Sequence, residues 1–230
     1  MLGGDARFVD AASLGLWQAN CYVLGDLERG RAVVVDPGQE GAPFVRRVLA
    51  DRGVECEAIL LTHGHLDHLW AVPELAGELD VPVLLHPGDR WLWDDPAAGL
   101  GMTAQLLESE LGLVWDPPTE RLEEVSDRQT LLLAGYALEV RHTPGHTPGS
   151  SVFLLTDTGS DDPLLLSGDL LFAGSVGRTD LPGGSWQQQL ESLAASVLVL
   201  PDQTRVAPGH GPPTTVGAER ASNPFLTEIA

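Results

Sequence analysis

The sequence of 230 residues contains no lysine, so all 13 of its cationic side chains are arginines, against 33 aspartates and glutamates. The formal charge of −20 repels the phosphates of nucleic acids and anionic membrane surfaces, and we expect neither as a partner. An anionic small molecule is repelled as well, so a site for one needs local positive charge. The oligomeric state stays open.

Cysteine is also scarce. The two cysteines, Cys21 and Cys56, form no CxxC pair, which excludes a zinc site built from thiolates. Isolated thiols are typical of small core residues in a reducing cytoplasm, the location we expect. No apolar run approaches the ~20 residues of a membrane-spanning helix, and the N-terminus lacks a signal-peptide pattern, so we expect a cytoplasmic chain without a membrane anchor.

Short apolar strands and a few amphipathic helices alternate along the chain, without a repeat or a linker. This pattern predicts sheets packed face to face with helices outside, in one domain over residues 1–230. Strands are predicted at 7–10, 20–24, 32–36, 58–61, 81–86, 130–134, 136–142, 151–156, 163–168 and 205–207. Helices are predicted at 42–52, 69–79, 103–111 and 216–229, and from Ser185, which forms a capping box with Gln188.

Residues 87–118 are less regular and rich in tryptophan. Trp91, Trp93, Met102 and Trp115 either line a substrate pocket or serve ordinary packing or a subunit contact.

Histidine is scarce too, with 7 in the chain, yet three of them lie in the stretch THGHLDH at 62–68, directly after the predicted strand 58–61. Three other stretches share this arrangement: RHTPGHTPGS (141–150), LLLSGDLLF (164–172) and RVAPGHGPP (205–213). Each places one side chain that commonly binds metals where a strand ends. Such ends gather at one edge of a layered α/β fold, where sites form.

The collected set contains five imidazoles and two carboxylates: His63, His65, Asp67, His68, His146, Asp169 and His210. A catalytic zinc takes four ligands including water, so the set suits two neighbouring ions that share a carboxylate. His63 and His65 point the same way from an extended segment, while Asp67 and His68 can turn to a second ion. We expect two divalent ions, with zinc as the first choice and iron or manganese as alternatives.

Three further residues have two interpretations each. Asp36 ends a strand before Pro37-Gly38 and either forms the turn or supports the ligands through hydrogen bonds. His142, four residues before His146, is either such a support or an ordinary histidine. His86 ends a strand without a partner signal, which indicates a structural or pocket-lining role.

The order His-x-His-x-Asp-His, then one His, one Asp and one His, resembles the metallo-β-lactamase superfamily over nearly the whole chain. The resemblance implies a four-layer αβ/βα sandwich with metals at one edge of the two sheets. It implies that His63, His65 and His146 hold one ion, that Asp67, His68 and His210 hold the other, and that Asp169 bridges them. Asp67 is also expected to orient a metal-bound hydroxide.

Two stretches resemble the glyoxalase II branch, the hydroxyacylglutathione hydrolases: GDLLFAGSVGRTDLPGGS (168–185) and PGHGPPTTVGAERASNPFL (208–226). This resemblance implies hydrolysis of a small-thiol thioester such as S-lactoylglutathione. Arg178 resembles the basic substrate contact of that branch, with a loop-bracing salt bridge as the alternative. The C-terminal helical region that helps such enzymes grip glutathione has no counterpart here, so mycothiol or bacillithiol are alternative carriers.

Other reactions of the superfamily remain open. A persulfide dioxygenase would hold one iron on His63, His146 and Asp169, but Gly211 follows His210 where those enzymes usually have an aspartate. A lactonase or β-lactamase fits the loop 168–185 less well. A non-catalytic binding module normally shows lost ligands, whereas all seven are present here.

Overall fold

The computed structural model describes residues 6–157 and 162–227, and within them two six-stranded sheets pack face to face. The first sheet contains, in spatial order, β1 (Arg7–Leu14), β2 (Ala19–Asp26), β3 (Arg31–Val35), β4 (Glu55–Leu60), β5 (Val83–Leu85) and β6 (Leu122–Glu124). The second contains β7 (Thr130–Leu133), β8 (Tyr136–His142), β9 (Ser151–Leu155), β10 (Leu164–Gly168), β11 (Arg205–Pro208) and β12 (Thr214–Thr215), also in spatial order. Both sheets are mixed, since β3 to β6 and the pair β10–β11 run parallel.

Helices cover the outer face of each sheet. Against the first sheet lie α1 (Gly41–Arg52), α2 (Leu66–Leu69), α3 (Val72–Leu79), α4 (Arg90–Asp94), α5 (Pro96–Gly99) and α6 (Ala104–Leu111). Against the second lie α7 (Trp186–Ser196), α8 (Val216–Ser222) and α9 (Pro224–Thr227). The predicted four-layer sandwich is therefore confirmed.

The central strands bury both faces. Val33 and Val35 of β3 face the second sheet, while Val34 between them packs under the helices. In β4, Leu60 faces the second sheet and Ile59 packs under the helices. Because successive side chains of a strand point to opposite faces, burial on both sides explains why most of β3 and the second half of β4 are continuous apolar runs in the sequence.

The start of α7 is tied to the loop before His146. The Ser185 hydroxyl accepts a hydrogen bond from the Gln188 backbone N–H at 3.4 Å, which caps the helix. The backbone N–H of Ser185 donates to the Gly145 carbonyl at 2.7 Å instead of to the Gln188 side chain. Only half of the predicted capping box is therefore formed, and the other half anchors a loop of the site.

All ten predicted strands are present, although several boundaries differ and the short strands β6 and β12 were missed. The predicted helix 69–79 is wrong as one element, because the turn at Trp70 and Ala71 separates α2 from α3. The predicted terminal helix 216–229 breaks at Asn223, since the residue before a proline disfavours helical backbone. The end of that prediction, residues 228–230, lies outside the described residues.

Within residues 87–118, Trp93, Met102 and Trp115 pack against the core of the first sheet. Trp93 is fully buried, and the Trp115 indole N–H donates to its carbonyl at 2.6 Å. Cys21 is buried beneath the helices of the first sheet, Cys56 is partly buried there, and both are free. None of the helices in the described ranges is long and apolar enough to cross a membrane.

Candidate metal centre

Four chain segments meet where strands of the two sheets end. The stretch 62–68 follows β4, His146 lies between β8 and β9, Asp169 follows β10 and His210 follows β11. The Ser151 backbone N–H donates to the Thr62 carbonyl at 2.8 Å, which joins the start of β9 to the end of β4. This edge collects all seven predicted ligand side chains.

Three imidazoles form the first group. One ring nitrogen each of His63, His65 and His146 lies within 4.8 Å of the others. His65 Nδ1 is 2.8 Å from His146 Nε2, so these two atoms face each other. The spacing brings together the trio expected to share one ion.

The second group contains one carboxylate and two imidazoles. His210 Nε2 lies 3.2 Å from Asp67 Oδ2 and 3.3 Å from His68 Nε2. Asp169 stands between the groups, with Oδ1 3.4 Å from His68 Nε2 and Oδ2 3.5 Å from His146 Nε2. Its carboxylate therefore faces both trios.

The residues present fit divalent metal ions. His63 Nε2 and Asp169 Oδ1 are buried and have no hydrogen-bond partner among the described residues. Buried polar atoms are normally paired, and an unpaired one at such a site indicates an ion or a water. Imidazole and carboxylate donors together suit zinc, iron or manganese.

Backbone carbonyls fix two of the rings. His146 Nδ1 lies 2.7 Å from the Arg178 carbonyl, and His210 Nδ1 lies 3.1 Å from the Trp17 carbonyl. A carbonyl only accepts, so each Nδ1 carries the proton and each Nε2 presents its lone pair to the site.

Asp36 fixes two more rings. Its carboxylate accepts hydrogen bonds from the Thr62 backbone N–H at 2.8 Å, the Thr62 hydroxyl at 2.6 Å and His68 Nδ1 at 3.0 Å. Because the Thr62 hydroxyl donates to Asp36, it accepts from His63 Nδ1, 3.1 Å away. Asp36 thus holds His68 directly and His63 through Thr62, while its φ of 51° also shapes the turn after β3.

The electrostatics differ between the two groups. Burial, aided by the neighbouring rings, lowers the pKa of His63 far below its usual value and that of His65 to about 3. Burial opposes the charged form of His68, but Asp67, Asp169 and Asp36 outweigh it and raise the pKa of His68 to about 10. The first group therefore offers free lone pairs, and the second favours positive charge at its centre.

Two other predicted residues, His142 and Arg178, have partners outside the donor groups. His142 Nε2 lies 2.9 Å from the Pro148 carbonyl, and its ring stacks on His86 at 3.8 Å, so it contacts the His146 loop through backbone. The Arg178 side chain is 61% exposed and pairs with Asp180 at 2.7 Å, the alternative salt bridge.

Two buried residues at the site were missed from the sequence. Asp89 accepts hydrogen bonds from the loops on either side of it, and it follows β5 in the same strand-end arrangement as the ligands. Gln189 donates to the carbonyls of Asp169 at 3.3 Å and Leu170 at 3.2 Å. Its position three residues after Trp186, on the apolar face of α7, was the available signal.

A cavity of about 390 Å³ opens over the two groups. Besides ligand side chains, it is lined by six apolar residues and one cation: Trp17, Leu66, Leu100, Phe172, Val176, Leu181 and Arg178. Sites for small molecules commonly combine apolar walls with a few polar groups in this way.

Comparison with known proteins identifies the family. The model of the metallo-beta-lactamase superfamily matches residues 14–210. An uncharacterised protein of Mycobacterium tuberculosis is 44% identical over 218 residues, which are 94% of this chain and 96% of that protein. The hydroxyacylglutathione hydrolase GloC of Haemophilus influenzae is 32% identical over 212 residues, 91% of this chain and 93% of that enzyme.

Two crystal structures show the same fold. The BLEG-1 B3 metallo-beta-lactamase superposes with a TM-score of 0.81 at 36% identity, covering 96% of this chain and 100% of that one. TTHA1623, solved in a di-iron-bound form, has a TM-score of 0.76 at 37% identity over 94% of this chain and 100% of that one. This chain therefore belongs to the metallo-β-lactamase superfamily of metallo-hydrolases.

Proposed function

We propose that this chain hydrolyses the thioester of a small thiol, using two divalent ions for which zinc is the first choice and iron or manganese are alternatives. The observation that carries the proposal is the position of Asp169, whose carboxylate faces both complete trios of donors. A single ion would leave one of the two trios without an ion to bind. The di-iron form of TTHA1623 supports two ions and keeps iron among the candidates.

Each ion has its own donors in this proposal. His63, His65 and His146 would hold one ion, and a second group would hold the other: Asp67, His68 and His210. When bound, the two ions would supply Lewis acidity and lower the pKa of a water molecule toward about 7.

Asp67 orients the attacking water. Burial opposes its ionisation, but His68 and His210 outweigh burial and hold the pKa of the Asp67 carboxyl below its usual range. It is therefore an ionised acceptor on the cavity wall at neutral pH. A water that donates to this carboxylate presents a lone pair to the thioester carbonyl carbon. The new C–O bond replaces the C–S bond, the carrier leaves as a thiolate without a strong general acid, and the protons of the water pass to solvent.

The cavity wall supports a thioester with an apolar part. Its six apolar side chains can cover that part of the substrate, and Arg178 can attract a carboxylate of the thiol carrier. A local cation matters because the chain as a whole carries −20. The similarity to GloC supports glutathione as carrier, with mycothiol or bacillithiol as alternatives. We place the reaction in the cytoplasm, which the two free thiols support.

The test compares two reactions on the same metal-loaded protein. A panel of thioesters, including S-lactoylglutathione, is incubated without oxygen while free thiol is measured. Glutathione persulfide is then supplied in air while oxygen is monitored. Thiol release without oxygen uptake supports the hydrolase. Rapid oxygen uptake with inert thioesters would instead favour the dioxygenase with one iron on His63, His146 and Asp169.

A further inference from the structure

Asp89 is an unusual residue in this fold because its carboxylate is 0% exposed and lies outside both donor groups. It follows β5 in the turn that leads into α4. Burying a carboxylate is costly unless hydrogen bonds compensate for the lost water, so its partners indicate what it does.

The partners of Asp89 come from two loops that are distant in the sequence. Its Oδ2 accepts from the Gly64 backbone N–H at 2.8 Å and from the Thr147 hydroxyl at 2.7 Å. Its Oδ1 accepts from the Gly149 backbone N–H at 2.6 Å. Gly64 separates His63 from His65, and Thr147 directly follows His146. One buried carboxylate therefore connects the backbones that carry all three imidazoles of the first group.

Both loops approach Asp89 closely because glycine stands at the points of contact. A Cβ added at Gly64 would lie 2.7 Å from Leu92 Cβ and 3.2 Å from Asp89 Cβ. A Cβ added at Gly149 would lie 2.6 Å from Asp89 Cγ. Any side chain at either position would push its loop away from the carboxylate, so the sequence keeps the three segments in direct contact.

We infer that Asp89 is a positioning residue, which sets the separation between the 63–65 segment and His146 and thereby shapes the ion site of the first group. The inference rests on the proposed metal centre and deepens it. Asp89 does not line the cavity, so its effect passes through the backbone and through Thr147.

The hydrogen bonding requires a carboxylate at this position. Gly64 and Gly149 each present an N–H, and both need an acceptor. In Asp89→Asn the shape is kept, but the amide NH₂ must face at least one of these donors. That donor is left buried and unpaired, so one loop must move away.

The matched control is Asp26→Asn. Asp26 is also buried, and its carboxylate accepts from the backbone N–H groups of Glu28 and Arg29. Asp26 is the last residue of β2, whereas Ala19, which forms a bridge with His210, is the first. Asp26→Asn therefore also exchanges a buried carboxylate for an amide, and it removes the ion pair of Oδ2 with Arg29 Nε at 3.3 Å without touching a ligand loop.

The experiment measures metal affinity rather than activity. Metal-free proteins are titrated with Zn²⁺ in competition with a chromophoric chelator, and Co²⁺-loaded samples are compared by visible absorption. We expect Asp89→Asn to weaken one of the two ions about 10- to 100-fold and to change the Co²⁺ spectrum, since such outer partners commonly have effects of this size. His210→Ala is introduced into the unaltered protein and into Asp89→Asn, which leaves only the ion of the first group. The affinity for that ion should be the one that decreases. Asp26→Asn should lower Tm but leave both affinities unchanged.

Two outcomes would overturn the inference: affinity in Asp89→Asn equal to the unaltered protein, or an equal loss in Asp26→Asn. If Asp89→Asn does not fold, Thr147→Val decides, because it removes one of the three bonds at nearly constant volume. A tenfold loss at the first group would then support the inference, and unchanged affinity would refute it. If the unaltered protein binds no metal, the proposed function fails together with the inference. If the unaltered protein binds two ions and Asp89→Asn binds them equally well, only the inference fails.

Discussion

Asp36→Asn should reverse a chain of hydrogen bonds that fixes the proton positions of two ligands. In the structure the Thr62 hydroxyl and His68 Nδ1 both donate to Asp36 Oδ2, and His63 Nδ1 donates to Thr62. An amide NH₂ in place of Oδ2 donates instead of accepting. Thr62 would then donate to His63 Nδ1, and His68 Nδ1 would become an acceptor, so both rings would carry their proton on Nε2.

The expected loss is large for metal binding and small for the fold. Losing the support of one ligand commonly costs 10- to 100-fold in metal affinity, and two ligands are affected here. Because the two effects share one residue and are not additive, we expect about 100-fold, or about 2.7 kcal/mol. The reversed bonds remain formed, so the metal-free protein should lose about 1–2 kcal/mol of unfolding free energy, or about 2–8 °C in Tm.

Competition titration with Zn²⁺ measures the affinity, and nitrogen-15 NMR of His63, which burial keeps neutral in metal-free protein, reports the proton position. Thr62→Val is the control, because it breaks the branch to His63 while Asp36 still holds His68. An unchanged His63 tautomer with unchanged affinity in Asp36→Asn would refute the reasoning.

Three further predictions concern ligands, substrate and pH. His63→Ala and His210→Ala should each reduce the metal content from two ions per chain to one, measured by elemental analysis. Arg178→Ala should raise KM several-fold with kcat little changed, the pattern of lost uniform binding, and Asp180→Asn, which frees the guanidinium, should not raise KM. Burial and then the neighbouring histidine ring lower the pKa of His86 to about 4. Above pH ~6.5, its ordinary pKa, His86 is neutral in both the folded and the unfolded chain and the free energy of unfolding is at its full value. That free energy should decrease as the pH falls from 6.5 toward 4, because the unfolded chain binds the proton more readily than the folded one.

Each of these predictions has a contrary outcome. Two ions retained in either ligand variant would remove that histidine from the metal centre. A loss of Tm with normal kinetics in Arg178→Ala would assign the guanidinium to bracing the loop through Asp180. Thermal unfolding of metal-free protein gives the pH test, and His86→Phe should show a weaker dependence between pH 6.5 and 4. An identical pH profile in that variant would exclude His86 as its source.

The seven donor side chains could be predicted because each stands at the end of an apolar strand, and strand ends meet at one edge of such a fold. Residue type and position along the chain were sufficient, and the structure brings all seven together. The apolar run 58–61 predicted a strand for a similarly local reason, and its residues in β4 are buried.

Other features depend on contacts that the sequence does not display. Strand β6 has the sequence LEE, with two exposed glutamates, and it exists because β5 offers an edge. Asp89 follows a strand, but the role of its carboxylate depends on hydrogen bonds from Gly64 and Gly149, which lie next to it only in the folded chain. Tertiary contacts thus determined what local patterns left open.

The most direct test of the proposed metal-dependent thioesterase activity is a titration of that activity. Metal-free protein receives increasing equivalents of Zn²⁺ under argon, with the best thioester of the panel, and free thiol release is measured at each step. The rate should rise to a plateau at two equivalents per chain and should be greatly reduced in Asp169→Ala, since that carboxylate faces both groups. A full rate at one equivalent, or no thiol release at any ratio, would contradict the account.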